Sequence, residues 1–428
     1  MQTNFAGPTL LPVKGLRWLL LGSLAGWLWA EDVAVPPPGT EADLDLAALR
    51  PPEGWEKTSA RAWAEKLRLP LESETPYQAS YRSYPGPGIR ILGANPKSIA
   101  LLADQDRPEQ LTILLANKGD SAGERLRNDP GASASLRDVV EIKRLIQADD
   151  QAVGARLAEQ LGKPSHQGFG DGGKAREFPR RWDSEGTSFL LTHRPGEYCV
   201  LRVVPTELAD HGGPSQRLSD VAIRERMKNS VVRRPNGDVL VANLPMIDQG
   251  PKGFCVPATY TRVLLYSGVP ADLYVLALLG KTGPGGGTSI ASMENSVRSL
   301  AAAYGRSISS VSPSLDLPKL QSYFEKGIPL IWAMYIDPEL DRDLTARMQS
   351  RPTAEAAAWR ESLEPKRKAA RHLRKNPDNA HVCLLVGCNR ATQELATSDS
   401  WGPEFAERWI TLEEARALSQ GDLGAIVP

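Results

Sequence analysis

The sequence has few cysteines, no excess of charge of one sign and no long hydrophobic run. Four cysteines in 428 residues are too few for the disulfide framework of a small secreted domain. The 51 basic and 51 acidic residues cancel to a formal charge of zero, which argues against a large electrostatic surface for nucleic acid or anionic membrane. No HExxH and no paired CxxC sequence is present. We therefore expect no nucleic-acid partner, no metal and no other cofactor.

What remains is an ordinary globular composition, 41% hydrophobic and 24% charged. At about 150 residues per domain, the length predicts two or three domains. Residues 45–235 show mixed helix and strand patterns, including a helical stretch over 137–161 and a hairpin over 187–204 that contains Cys199. We interpret them as an α+β accessory region whose role the sequence leaves open. The residues with recognisable chemistry follow in a second domain, 240–428.

The N-terminal segment has the pattern of a targeting sequence. Lys14 and Arg17 precede an apolar run over 18–30, which is shorter than the roughly 20 residues that a membrane-spanning helix needs. The run has the length of a signal-peptide core. We predict a signal peptide at 1–30, a Pro-rich linker at 31–44, export to the periplasm or medium, and no stable membrane span after cleavage. An uncleaved N-terminal anchor is the alternative.

Cys255 is the first candidate for chemistry. It precedes Pro257, which suits the first turn of a helix, and Gly268 suits the C-terminal cap of the same helix. Cys255 would thus lie at a helix N-terminus, where the dipole and unpaired N–H groups stabilise a thiolate. Gln249, across a Gly-rich turn, carries an NH₂ group that can reach a developing oxyanion. Without that context, a cysteine opening a helix is more often buried packing.

A nucleophilic thiolate needs a base, and the base needs an orienting acceptor. His381 opens a continuous apolar run, typical of a buried strand, and a second strand ends in Asp399-Ser-Trp-Gly. A tight turn between these strands would bring His381 close to Asp399. A single histidine at the start of a strand is often structural, but here nucleophile, base and acceptor occur in a workable order.

These segments, Gln249 to Cys255, His381, and Asp399 to Gly402, resemble papain-like cysteine peptidases. Within them the sequence is most similar to the bacterial branch related to double-glycine, bacteriocin-processing peptidases, over about 240–428. Papain itself has asparagine where this chain has Asp399, whereas aspartate is similar to the double-glycine branch. By position, the resemblance implies these roles: Cys255 as nucleophile, His381 as base and acid, Asp399 as its acceptor, Gln249 in the oxyanion hole, and Trp401 and Gly253 as active-site support.

The resemblance also implies an α+β fold in which a helical lobe and an antiparallel sheet lobe form a papain-like, two-lobed catalytic domain. Two features depart from the family. Val256-Pro257 replaces the usual small residue and tryptophan, and a charged helical insertion occupies about 337–378. The insertion ends in a basic run, which is either a solvated helix or a surface for a partner.

Three functions fit these residues. The first is an exported cysteine peptidase that acts on a peptide or protein substrate. The second is a transglutaminase-like acyl transferase, which uses the same residue types, and the third is an inactive binding protein on a peptidase fold. Cys383 and Cys388 are predicted on opposite faces of one strand and so are not expected to pair with each other. The sequence leaves open whether Cys199, Cys383 and Cys388 form any disulfide, which bonds are cleaved, and the oligomeric state.

Overall fold

The computed structural model describes residues 42–85, 88–122, 134–170, 175–213, 217–250, 253–351 and 356–428. The predicted signal peptide and nearly all of the predicted linker lie outside these ranges. Within these ranges no helix is both long and apolar enough to cross a membrane.

Short strands and four helices make up the first region. The strands are β1 (Ala42–Leu44), β2 (Leu71–Glu74), β3 (Ala79–Ser83), β4 (Ile89–Ile91), β5 (Ser98–Asp104), β6 (Arg107–Asn117), β7 (Ser165–His166), β8 (Arg180–Ser184), β9 (Thr187–Arg194) and β10 (Tyr198–Pro205). The helices found in the described residues are α1 (Ala60–Lys66), α2 (Leu136–Leu161), α3 (Thr206–Asp210) and α4 (Asp220–Asn229). Eight of these strands form an antiparallel sheet of order β2-β3-β5-β6-β10-β9-β8-β7 in the described chain, while β1 and β4 form a parallel pair.

The helical pattern after residue 136 forms the single helix α2. The Ser135 side chain accepts from the backbone N–H of Asp138, whose carboxylate accepts in return from Ser135, so a capping box fixes the helix start. Ile142, Ile146 and Leu157 are buried against the sheet. These positions follow the helical repeat, which explains why the sequence predicted this helix.

The second region carries the other large sheet. Its strands are β11 (Val231–Arg233), β12 (Asp238–Val241), β13 (Ser307–Ser310), β14 (Leu330–Tyr335), β15 (Ala380–Asn389), β16 (Glu394–Ser398), β17 (Arg408–Thr411) and β18 (Ser419–Val427). The described helices are α5 (Cys255–Tyr266), α6 (Leu273–Leu279), α7 (Ile290–Ala303), α8 (Leu317–Phe324), α9 (Pro338–Ser350), α10 (Ala356–Ser362), α11 (Glu364–Ala369) and α12 (Leu412–Leu418). The order is β11-β12-β15-β14-β18-β13, with β16 on β15 and β17 on β16. Mixed helices and antiparallel sheets are consistent with the expected α+β class.

Both faces of the second sheet are covered. On β15, Val382 and Leu384 pack with apolar residues of α5 and α7, whereas Leu385 packs on the opposite face with residues of α8 and α12. A strand that is buried on both faces needs a continuous apolar sequence, and β15 has one. This strand therefore brings His381, at its second position, into the interior of the protein.

The prediction that Cys383 and Cys388 point to opposite faces is wrong. Both side chains lie in the same core cluster, although their spacing of five residues would alternate them in a regular strand. The pairing of β15 with β16 shifts register between Leu385 and Gly387, and such an irregularity reverses the alternation. Both thiols are free, as are those of Cys199 and Cys255.

The insertion is helical, as the sequence predicted, and ion pairs attach it to helix α12 and strand β12. Arg347 of α9 contacts Glu414 at 2.6 Å, and Arg351 contacts Asp238 at 2.8 Å. In the basic run, the Lys366 ammonium lies 2.7 Å from a carboxylate oxygen of Asp343 on α9. Helix α9 of the insertion is therefore part of the fold, whereas α11, where the basic run begins, has no buried residue, as a solvated helix would.

Candidate active site

Cys255 is the first residue of helix α5, as the position of Pro257 predicted. The turn before it lies against a glycine-rich loop: the carbonyl oxygen of Gly253 accepts from the backbone N–H of Gly287 at 3.1 Å. A Cβ atom on Gly286 would lie 2.6 Å from the Gly253 Cα, so both glycines allow an approach that no larger residue would. This close contact fixes the backbone that leads into the nucleophile.

His381 and Asp399 meet at the ends of their two strands. The Nε2 atom of His381 lies 2.8 Å from Oδ1 of Asp399, and both side chains are buried. The indole of Trp401 stacks on the imidazole with 4.6 Å between ring centroids and 30° between planes. The apolar ring excludes water from the hydrogen bond, while Asp399 fixes the orientation of the imidazole.

Cys255 and His381 interact directly across the junction of α5 and β15. Burial opposes ionisation of the thiol, but the hydrogen bond and charge of His381, with backbone hydrogen bonds from Val382 and Val256, outweigh it and lower the pKa of Cys255. Burial also opposes the imidazolium, yet hydrogen bonds to Asp399 and Cys255 raise the pKa of His381 above its usual value. Because Asp399 occupies Nε2, we infer that Nδ1 faces the sulfur. The two shifts together favour a thiolate–imidazolium pair.

Arg408 completes the surroundings of Asp399, and sequence reasoning missed it. Its Nη2 donates to Oδ2 of Asp399 at 2.8 Å, and its Nη1 donates to Oδ1 of Asp341 on helix α9 at 2.7 Å. Burial disfavours the Asp399 carboxylate, but the charge of Arg408 and the hydrogen bond with His381 lower the pKa of Asp399 to about 2. The insertion thereby supports the acceptor of the histidine. An arginine within the apolar strand Arg408–Thr411 was the signal that could have indicated this role.

Arg262 is a second residue that the sequence reasoning missed. It lies two turns after Cys255 on α5 and is 1% exposed. Its Nε donates to the carbonyl oxygen of Pro245 at 2.9 Å, and its Nη1 donates to the carbonyl oxygen of Asp399 at 2.9 Å. The side chain thus ties the helix of the nucleophile to the backbone of the histidine's acceptor. A charged residue within an otherwise apolar helix could have drawn attention to it.

Gln249 is held next to the same strand end. Its backbone N–H donates to the carbonyl oxygen of Ser400 at 2.9 Å, and the Ser400 hydroxyl donates to its Oε1 at 2.9 Å. With the amide oxygen fixed on Ser400, the NH₂ group takes the opposite side of the carboxamide. The structure therefore brings together Gln249, Cys255, His381, Asp399 and Trp401, with Gly253 beneath the turn.

The described residues hold no cluster of three or more His, Cys, Asp or Glu side chains able to bind a metal ion. The chemistry that the site itself offers is nucleophilic attack by a sulfur atom, with proton transfer by an adjacent imidazole.

Comparison with known families points to the same part of the chain. Residues 241–420 match the model of the Peptidase_C39 like family. This range includes Gln249, Cys255, His381 and Asp399, and the match supports a papain-like cysteine peptidase family for it. No curated protein matches the chain.

Proposed function

We propose that the chain is a cysteine peptidase that hydrolyses peptide bonds through a thioester on Cys255. The observation that carries this proposal is the contact of Cys255, at a helix N-terminus, with a histidine whose other ring nitrogen is 2.8 Å from Asp399. The resulting pKa shifts favour the ionised pair, which is the reactive form of such a nucleophile.

In the first step, the Cys255 thiolate attacks the carbonyl carbon of the scissile peptide and forms a C–S bond. The negative charge moves to the carbonyl oxygen, which the Gln249 amide and the backbone N–H of Cys255 stabilise in this proposal. The C–N bond then breaks as the His381 imidazolium gives its proton to the leaving nitrogen. A thioester and a neutral imidazole remain.

In the second step, water attacks the thioester carbonyl while His381 takes one of its protons. The C–S bond breaks, the carboxylic acid product leaves, and the thiolate–imidazolium pair is restored. Asp399 and Arg408 stay ionised throughout, because their shared contact holds the carboxylate. Their role is to orient the imidazole and to stabilise its positive charge.

The test is covalent labelling with the epoxide E-64, followed by mapping of the modified residue by mass spectrometry. We expect one adduct, on Cys255, and none in the Cys255→Ser variant. An unlabelled Cys255 in the folded protein would refute the proposal and favour an inactive binding protein.

Product analysis with and without added methylamine separates the remaining possibilities. Hydrolysis gives a free carboxylate in both cases, whereas a transglutaminase-like acyl transferase gives the methylamide.

We further propose that the catalytic region belongs to the double-glycine branch, on the basis of aspartate at position 399. Two peptides that differ only in Gly-Gly or Ala-Ala before the scissile bond test this. Preference for the Gly-Gly peptide is expected. Equal rates for the two peptides would contradict the branch while leaving the peptidase proposal intact.

Export is proposed from the sequence alone, through the apolar run 18–30 after Lys14 and Arg17. N-terminal sequencing of the protein recovered from periplasm or medium would test it. We expect a mature chain beginning near residue 31. A full-length chain in the membrane fraction would favour the uncleaved anchor, and a full-length chain in the cytoplasm would contradict export.

A further inference from the structure

The segment that leads to the proposed oxyanion-hole residue has no regular secondary structure. Between the end of β12 at Val241 and the start of α5 at Cys255, the described residues form neither helix nor strand. The position of Gln249 therefore depends on individual hydrogen bonds to this segment. Within the catalytic region, Ser400 makes two hydrogen bonds with Gln249, and Arg262 donates one to Pro245.

Three more hydrogen bonds come from the first region. The Ser73 hydroxyl accepts from the backbone N–H of Met246 at 2.9 Å. Oε1 of Glu72 accepts from the backbone N–H of Asp248 at 2.8 Å, and the Tyr84 hydroxyl donates to the carbonyl oxygen of Asp248 at 2.7 Å. Both backbone polar groups of Asp248, the residue immediately before Gln249, are thus bound by side chains of the first region.

The groups that make these contacts are themselves held in place. Glu72 is 6% exposed; the Arg82 guanidinium donates to its Oε1 at 2.6 Å, and the Ser80 hydroxyl donates to its Oε2 at 3.1 Å. Glu72 and Ser73 lie on β2, and Ser80 and Arg82 lie on the paired strand β3. A hairpin with a buried ion pair is a rigid support for the loop that it binds.

We propose that Glu72, Ser73 and Tyr84 are positioning residues that align the Gln249 loop for stabilisation of the oxyanion. This inference rests on the proposed function and gives the region before residue 235 a part in catalysis. Small displacements of an oxyanion donor are costly, because the donor must point at the charge that develops in the transition state. The groups that lower the pKa of Cys255 are His381 and the backbone of Val382 and Val256, so its ionisation does not depend on these three side chains.

Two reactions of the Cys255 sulfur separate a loss of oxyanion stabilisation from a loss of thiol reactivity. Acylation by p-nitrophenyl acetate passes through a tetrahedral oxyanion, whereas alkylation by iodoacetamide displaces iodide at a saturated carbon and forms none. The variant is Ser73→Ala/Tyr84→Phe in the full chain, which removes two hydroxyls without creating a buried charge. Tyr81→Phe is the matched control, because Tyr81 lies on the same hairpin and its hydroxyl interacts with the exposed Arg61 instead.

We expect the acylation rate of the double variant to fall about 10-fold or more, since loss of one oxyanion donor costs about 100- to 1,000-fold. Its alkylation rate should stay within about two-fold of wild type, and Tyr81→Phe should change neither rate. In a Gln249→Ala background the same two substitutions should have little further effect, because residues that act through one another are not additive. Tyr84→Phe alone should also slow acylation without slowing alkylation, but by a smaller factor.

Unchanged acylation in the double variant would overturn the inference, and so would a full further loss in the Gln249→Ala background. Equal losses of acylation and alkylation would also overturn it, because they would indicate general damage to the fold. A wild-type Cys255 that reacts with neither reagent would instead refute the proposed function. The two failures are therefore distinguishable.

Discussion

In the described residues, cysteine, histidine and aspartate come together beside each of the two large sheets. In the second sheet, Cys255 contacts His381, whose Nε2 is 2.8 Å from Asp399. In the first sheet, Cys199 lies directly opposite His193 in the pairing of β10 with β9, and Nδ1 of His193 is 3.8 Å from Asp150. The residue types are the same, so only their arrangement can separate a reactive thiol from an inert one.

The two thiols have opposite electrostatic surroundings. Cys199 lies within a strand, fully buried, and burial together with the carboxylates of Asp150 and Asp149 raises its pKa. Cys255 lies at a helix N-terminus, where His381 and backbone hydrogen bonds lower its pKa against the effect of burial. A strand interior offers the sulfur no unpaired N–H groups, because the sheet uses them. A reactive cysteine therefore needs donors and a cation, and proximity to a histidine and an aspartate is not sufficient.

The largest expected effect comes from removing the sulfur of Cys255. Cys255→Ala should abolish peptide hydrolysis, because no thioester can form, while the fold survives the loss of one small side chain. Cys199→Ala is the matched control and should leave hydrolysis within about two-fold of wild type. Hydrolysis of a mixed peptide digest, followed by mass spectrometry, measures both. Activity above a few per cent in Cys255→Ala would place the nucleophile elsewhere.

Replacement of the two histidines should likewise impair hydrolysis at His381 and not at His193. His381→Ala should cost about as much as Cys255→Ala, and the double variant should lose no more than either single one, because members of one catalytic unit are not additive. His193→Ala should leave kcat/KM unchanged. Additive losses for Cys255 and His381 in steady-state kinetics would mean that the two residues do not act together.

The acceptor carboxylate should have an intermediate effect. Asp399→Asn keeps an oxygen for the imidazole N–H but removes the charge, so we expect a loss of about 10- to 1,000-fold, within the range for a weakened general base. The Asp399 charge helps to raise the pKa of His381, so its removal lowers that pKa and the imidazolium is lost at lower pH. The basic limb of the pH–rate profile should therefore move to lower pH.

Asp399→Ala is the comparison for this prediction. It should lose more activity than Asp399→Asn, because it also frees the imidazole to rotate. Equal losses in the two variants, with no movement of the basic limb, would show that Asp399 does not orient His381. The matched substitution beside Cys199, Asp150→Asn, should not shift the pH–rate profile.

The smallest effect is expected at the arginines that bind the two aspartates. Arg408 contacts both Asp399 and Asp341 through separate nitrogens, which one lysine ammonium cannot reproduce. Arg408→Lys should therefore lower kcat by about 3- to 30-fold, within the lower part of the range for impaired general-base catalysis. Arg180 binds Asp150 at 2.6 Å, and Arg180→Lys is the control, with no expected change in kcat. Equal changes of kcat in Arg408→Lys and Arg180→Lys would show that Arg408 does not position Asp399.

Local signals were enough to predict the elements that carry the candidate residues. Pro257 and Gly268 indicated the two ends of α5, and the continuous apolar sequence after His381 indicated a strand buried on both faces. The closeness of His381 to Asp399 then followed from two strands joined by a tight turn. Each of these inferences used residues close together in the chain, where propensity and periodicity carry information.

The supporting residues could not be predicted in the same way. Glu72 and Asp248 are far apart in sequence, as are Arg408 and Asp341, so no local pattern links them. Strand β18 was missed as well, because Gly421 and Gly424 weaken the strand pattern and only its neighbours β14 and β13 specify it. Long-range hydrogen bonds therefore determined the parts that the sequence left open.

The most direct test of the central claim is the pH dependence of thiol alkylation, followed residue by residue. The folded protein is treated briefly with iodoacetamide from pH 5 to 10, and each cysteine-containing peptide is quantified by mass spectrometry. We predict that Cys255 reaches half of its maximal rate below the usual thiol pKa of about 8.5, while Cys199, Cys383 and Cys388 stay unlabelled throughout, since burial raises the pKa of each. A Cys255 midpoint at or above about 8.5, or labelling no faster than that of the buried thiols, would contradict the account.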